Sequence, residues 1–335
     1  MATIVDVARL AGVSTSTVSH VVNATRPVSR RTREKVEEAI RATGYRRDGV
    51  ARALRRSRTD SIGLIVSDVA QPAFAEMIRG VEREATAAGY TLLLANSGED
   101  PELERRALQV LSERKVDGLV VAPVGGSDRA GLEAIRAHGI PLVVMDRLGA
   151  IGADQVGVEN TAPMRDLVAH LVGHGHRRIA LAAGDRSVPT IEERARGYAD
   201  ALAAADIPAD DALILWGSGL AAGTRARVGD LFASPDRPTA VVAVSTESAV
   251  GTVEALHSLS LDIPRDVAFA AFDGFPYMHL FRPGITAVTQ PAYEIGSTAM
   301  TLLLSRMNGE LTSSPRSIRL QPQIAYRESC GCGAG

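Results

Sequence analysis

A chain of 335 residues is too long for one ordinary domain and should hold two or three; it has no apolar run of about 18 residues and no charged-then-apolar leader, which excludes membrane-spanning and secreted classes and leaves a cytoplasmic protein as the expectation. The net charge of −2 hides an asymmetry, because residues 1–59 carry 13 basic and 5 acidic side chains (+8) and residues 60–335 carry 24 and 34 (−10). A basic head on an acidic body is the electrostatic footprint of a nucleic-acid binder whose remaining mass avoids phosphate.

In chain order, Thr3 can cap a first helix whose Ile4, Val7, Ala8 and Ala11 share a stripe, with Asp6 near its positive end. Gly12 suits the left-handed position that closes it. Ser14 is a good cap for a second helix. At about 100° per residue, Val18, Val21 and Val22 fall on one of its faces and Thr15, Ser16, Ser19 and His20 on another. The polar face holds short hydrogen-bonding side chains and no acid, which suits a helix that approaches base edges closely. A third helix begins near Ser29, buries Val36, Ala39 and Ile40, and ends at Gly44. Helix, Gly-containing turn and short polar helix make a helix-turn-helix. On this pattern alone a generic three-helix bundle stays open.

The run Ala2–Ala8, followed by Gly12–Asn23, resembles the head of the lactose-repressor (LacI/GalR) family of transcription regulators, closest to its purine-repressor branch through Thr15 and His20. The likeness continues through Thr32-Arg33, Gly44-Tyr45, Val50–Leu54 and Ser61–Ile65, and reaches Arg327-Glu328-Ser329. It implies a helix-turn-helix domain over 1–46, a hinge helix and linker over 47–60, and a two-lobed effector-binding and dimerisation body over 61–329. By the same resemblance, Leu54, with Ala51 beside it, is the residue that wedges into the central minor groove. Two helical turns are too few to stand alone in water, and the resemblance implies that the hinge folds when paired with its twin on DNA.

From Ser61 onward, apolar β-rich runs alternate with amphipathic helices. Ser61–Ser67, Thr91–Asn96, Val116–Ala122 and Pro141–Asp146 read as strands covered on both faces, with helices near 73–89, 101–115 and 127–139 between them. The pattern restarts at Arg178–Ala183, Ala212–Trp216, Thr239–Ser245 and Val267–Asp273. Two βα units imply an α/β body with two parallel-sheet lobes, like a periplasmic sugar-binding protein, and a ligand cleft at the carboxyl ends of the strands. The resemblance assigns lobe 1 to about 61–160 and 290–320 and lobe 2 to about 161–289, with the chain returning to lobe 1 near Ile285–Gln321. Residues 330–335 read as a flexible tail. Two cysteines one residue apart, Cys330 and Cys332, are too little for a disulfide framework or a zinc site without further ligands. His174-Gly175-His176 is a weak metal pair, and no cofactor loop or catalytic set is visible.

Residues just past strand ends are the candidates for the cleft: Ser67, Asp68, Asp146 and Asp273, together with Phe74, Thr190 and Arg194. Carboxylate and guanidinium groups can bracket vicinal hydroxyls, and Phe74 can cover an apolar face. The resemblance matches Phe74, Thr190, Arg194 and Asp273 to effector-contacting positions of the purine branch, and Asp146 to a ligand-side aspartate elsewhere in the family. Three departures matter. Ser245-Thr246 replaces a frequent Asn-Asp pair, Gly219 stands where relatives carry an aromatic, and Val188 stands where the purine branch has an arginine. They favour a sugar or sugar derivative over a purine.

These readings converge on a non-enzymatic homodimeric regulator that binds a palindromic duplex operator and answers to a small-molecule effector. A repressor is favoured; an activator, an effector-independent regulator and a solute-binding protein remain alternatives. Thr15, Ser16 and His20 are expected at base edges, assisted by Arg26, Tyr45 and Arg55, with Ser14, Ser19 and Asn23 on phosphates.

Overall fold

The computed structural model describes residues 2–23, 25–45, 58–126, 129–274 and 277–332. The hinge segment, with Ala51, Leu54 and Arg55, lies outside the described residues. The chain divides into two units, Met1–Thr59 and Asp60–Gly335.

The first unit holds α1 (Ile4–Ala11), α2 (Thr15–Asn23) and α3 (Arg30–Thr43). Each boundary has a local cause. Thr3 and Asp6 form a reciprocal capping box, and Gly12 (φ 66°) and Gly44 (φ 62°) close α1 and α3 in the left-handed region. The Oγ of Ser14 accepts the Thr17 N–H at 3.1 Å, and Ser29 does the same for Thr32 at 3.3 Å. Val7, Ala8, Ala11, Val18, Val36 and Ala39 form a small core between the helices, with Ile40 half-buried at its rim.

The second unit is built on two six-stranded sheets. The first contains β1 (Ser61–Val66), β2 (Thr91–Asn96), β3 (Gly118–Val121), β4 (Leu142–Met145), β5 (Asp154–Val158) and β11 (Ser317–Leu320). Its order is β11-β5-β4-β3-β1-β2, all parallel. The second contains β6 (Ile179–Gly184), β7 (Ile214–Trp216), β8 (Ala240–Ala243), β9 (Ala268–Phe272), β10 (Thr286–Thr289) and β12 (Gln323–Ala325), in the order β12-β10-β9-β8-β6-β7, parallel except for β12. Both faces of each sheet are covered by apolar cores. The helices are α4 (Pro72–Ala87), α5 (Pro101–Glu113), α6 (Arg129–Ala137), α7 (Thr161–Gly173), α8 (Pro189–Ala204), α9 (Ala221–Phe232), α10 (Thr246–Ser258) and α11 (Ala292–Met307).

Three expectations change. Thr91–Asn96 is an edge strand rather than a doubly covered one, and Leu94 is 47% exposed. The return to the first lobe starts later than Ile285, because Thr286–Thr289 pairs in parallel with β9 of the second sheet and the chain crosses only at Gln290–Pro291. It crosses back after Leu320, and residues 323–330 belong to the second lobe. Cys330 is therefore no part of a tail: it is fully buried in that lobe's core and bridged to Cys332 by a disulfide. Three connections thus join the lobes, β5 to α7, β10 to α11 and β11 to β12.

Candidate nucleic-acid interface and ligand cleft

On α2, Thr15 and Ser16 are exposed, Ser19 and His20 are half-buried, and Val18 anchors the opposite face in the core. Ser14 serves first as the cap, with its hydroxyl also 2.7 Å from that of Ser16 and 2.9 Å from that of Thr17. His20 Nδ1 lies 2.9 Å from the Thr25 hydroxyl, a contact that restrains the imidazole plane through that nitrogen. Arg26 is exposed and joins Val13, Thr17, His20 and the start of α3 in lining a shallow groove. Tyr45 is half-buried against the head's core, so its ring supports the helices from behind. Asn23 ends α2.

Between the lobes lies a cavity of about 440 Å³. Phe74, Asp146, Thr190, Arg194 and Asp273 all line it; Ser67 does not. Ser67 is fully buried behind the wall, where its carbonyl accepts the Glu99 N–H at 3.1 Å and so sets the position of a residue that does face the cavity. Phe74 enters on the first turn of α4, started by Pro72, and Thr190 on the first turn of α8, started by Pro189. Asp146 and Asp273 follow β4 and β9 in the left-handed region (φ 68° and 59°), a conformation that turns the chain sharply at the strand's carboxyl end.

Arg194 is the hub. It is 3% exposed, and its Nη1 donates to Asp273 Oδ2 at 2.7 Å and to the Val244 carbonyl at 2.6 Å. Its Nε donates to Asn160 Oδ1 at 2.9 Å, and the guanidinium stacks 3.8 Å over the Phe272 ring. Gln290 Nε2 donates to the other oxygen of Asp273 at 2.5 Å. Asn160 and Gln290 stand in two of the three inter-lobe connections, so the buried ion pair is tied directly to both. A second pair lies on the first lobe's wall, where Arg147 donates to both Glu99 oxygens at 2.8 and 2.5 Å and to the Pro123 carbonyl at 3.1 Å. These bonds hold the Glu99 carboxyl below its ordinary range against the opposing effect of burial. Burial pushes Asp146 above the usual carboxylate range; Arg147 and Arg194 oppose the shift, and Asp273 and Glu99 reinforce it.

Glu99 and Gln290 escaped the sequence reading although they obey the rule that found Asp146: each stands just beyond a strand's carboxyl end, past β2 and β10. Of the departures from family pattern, Val188, Gly219 and Ser245 all line the cavity, and Ser245 caps α10. Trp216 is not among the lining residues; Leu220, 64% exposed, holds that side of the mouth.

Residues 3–48 match the family model described as bacterial regulatory proteins, lacI family, and residues 168–330 match the periplasmic binding protein-like domain. The chain is 35% identical over 333 residues to the HTH-type transcriptional repressor PurR of Vibrio vulnificus, covering 98% of each. Among solved structures it resembles the transcriptional regulator CelR in complex with cellobiose (30% identity, TM-score 0.73, covering 98% of this chain and 100% of that one). It also resembles the lac repressor dimer bound to operator and an anti-inducer (25% identity, TM-score 0.86, covering 98% and 99%). A helix-turn-helix head and a ligand-binding body with full-length likeness to repressors make this a transcriptional repressor, not an enzyme. The chain belongs to the lacI family of bacterial regulatory proteins.

Proposed function

We propose that the protein acts in the cytoplasm as a homodimer, reads a palindromic operator through two copies of α2, and is controlled by an uncharged sugar held between its lobes. The observation that carries the effector reading is the charge of the cavity wall. Asp68, Glu99, Asp146, Asp185, Glu247 and Asp273 face Arg147 and Arg194, six carboxylates against two guanidiniums already engaged by Glu99 and Asp273. Such a wall accepts hydrogen bonds from vicinal hydroxyls and repels phosphorylated or acidic ligands. Phe74 offers the apolar surface on which a sugar ring can rest. The CelR–cellobiose complex supports the same class.

Val69, Leu94, Leu103 and Val110, between 38% and 47% exposed on the β2–α5 side of the first lobe, give an apolar surface consistent with self-association. A ligand bonded to Arg194 and Asp273 changes the forces on Asn160 and Gln290, and through them the lobe connections. Coupling of this kind is typically about 1–3 kcal/mol, a 5–150-fold change in operator affinity. Titration calorimetry of the purified protein against neutral pentoses, hexoses and disaccharides, their phosphates and purine bases tests the reading. A neutral sugar should bind, and Asp273→Asn should weaken it by about 1.5–3 kcal/mol through loss of a charge-assisted bond. Binding of a purine or a sugar phosphate in preference would overturn it.

A further inference from the structure

Far from the cleft, four soft donor side chains meet on the outer edge of the second lobe. His170, in the last turn of α7, and His174, which follows that helix as its cap, stand four residues apart on one helical face, with ring centroids 4.6 Å apart and edge-on. Against them comes the C-terminal segment. The short turn Glu328–Cys330 is followed by Gly331 (φ 82°), whose left-handed backbone brings Cys332 back beside Cys330 with their Cα atoms 5.5 Å apart. His170 Nε2 lies 3.3 Å from Cys330 Sγ and 2.9 Å from Cys332 Sγ, and His174 Nε2 lies 3.4 Å from Cys332 Sγ. The donor atoms of His170, Cys330 and Cys332 all fall within 4.8 Å of one another. Sulfur is a poor hydrogen-bond partner, yet both imidazoles aim Nε2 at it.

We propose that His170, His174, Cys330 and Cys332 form a tetrahedral Zn2+ site that fastens the C-terminal segment to α7. Two histidines at i and i+4 on a helix, facing two cysteines, make a Cys2His2 donor set of the kind that closes a structural zinc site. With Zn–S of about 2.3 Å and Zn–N of about 2.0–2.1 Å, tetrahedral donors stand roughly 3.3–3.8 Å apart; the N···S distances here, 2.9 to 3.4 Å, approach that range, and the two sulfurs must part from their disulfide to reach it. The surroundings suit the role. Cys330 is fully buried in the lobe's core, and the Tyr326 ring covers His170 at 4.3 Å. His176, the other half of the pair visible in the sequence, is engaged elsewhere, with Nδ1 2.9 Å from the Thr239 hydroxyl.

The disulfide is then the oxidised, metal-free form of the site. A dithiol delivers two electrons and two protons across the Cys330–Cys332 bond, leaving two thiols and becoming a disulfide itself. Zn2+ displaces the two thiol protons to solvent and takes the two thiolates with the two neutral imidazoles.

The test uses the full-length protein, stripped of metal and reduced with a phosphine, with two titratable thiols per chain as the entry check. Expected are one equivalent of Zn2+ retained per chain, and with Co2+ a thiolate-to-metal charge-transfer band together with the intense visible bands of tetrahedral cobalt. Cys332→Ser should abolish the charge-transfer signature or cut it by half. His174→Ala should weaken Zn2+ at least tenfold in competition with a chelating dye, and His176→Ala should leave it unchanged. Far-UV circular dichroism of each variant separates loss of the site from loss of the fold. Reduced protein that retains no Zn2+, a cobalt spectrum without the thiolate band, affinity indifferent to Cys332→Ser and His174→Ala, or a disulfide that survives excess phosphine would each overturn the proposal.

Discussion

His20 and Asp146 show how a neighbouring group sets what a single side chain can do. The Thr25 hydroxyl holds the His20 ring by Nδ1, so the orientation of Nε2 is established before DNA arrives and little rotamer entropy is lost on binding. His20→Ala should cost about 1–3 kcal/mol at one half-site position and relax specificity there, measurable by competition with operator variants; an unchanged base preference would remove His20 from the reading set. In the proposed reading Asp146 accepts sugar hydroxyls in its ionised form, and burial raises its pKa, so it takes up a proton at higher pH than an ordinary aspartate. Effector affinity should therefore fall as pH drops through mildly acidic values, the ionised and binding-competent form being lost first. Asp146→Asn should flatten that dependence in calorimetric titrations, and a slope that persists in the variant would assign it to another carboxylate.

At the scale of elements, glycines decide how closely neighbouring helices approach one another. A Cβ on Gly80 of α4 would stand 2.3 Å from the Tyr293 carbonyl oxygen, and one on Gly296 of α11 would stand 2.0 Å from that of Met77. The two helices therefore cross backbone against backbone. Gly197 meets the Thr161 carbonyl in the same way at the α7–α8 crossing, and Gly251 meets that of Ala221 at α9–α10. Gly296→Ala should destabilise the body by about 1–3 kcal/mol in denaturant unfolding, because the helices must separate to admit the methyl group; an unchanged midpoint would show that the crossing yields freely.

What was legible at this scale follows from pattern strength. Continuous apolar runs such as Ser61–Val66 announce buried strands, and Thr3, Gly12, Ser14 and Gly44 announce helix ends, because each signal acts locally. The edge position of Thr91–Asn96 was not legible, since its Leu92-Leu93-Leu94 run reads like a central strand and only topology exposes Leu94. Asp154–Val158 and Gln323–Ala325 are short or polar strands whose pairing depends on partners distant in sequence. The cleft residues were found by the strand-end rule and by family likeness. The hub role of Arg194 was not, because its partners Asn160, Val244 and Asp273 lie 34 to 79 residues away. The histidine–cysteine cluster was missed for the same reason, with 160 residues separating His170 from Cys330.

For the whole molecule, the charge division and the two-lobed body describe one logic. The head is basic and the body acidic, and in the proposed reading a small molecule in the cleft between the lobes acts on the inter-lobe connections through Asn160 and Gln290. The Arg194–Asp273 pair is bonded to Asn160 and Gln290, in two of the connections, so the proposed coupling predicts that both lobes respond together to a bound sugar. The most direct measurement is selection of bound duplex from a random pool by the purified full-length protein, repeated with the neutral sugar identified by calorimetry. The account predicts enrichment of one palindrome, with a 5–150-fold change in its affinity when the sugar is added. No sequence preferred over bulk competitor at moderate salt, or a palindrome whose affinity ignores every cleft ligand, would contradict it.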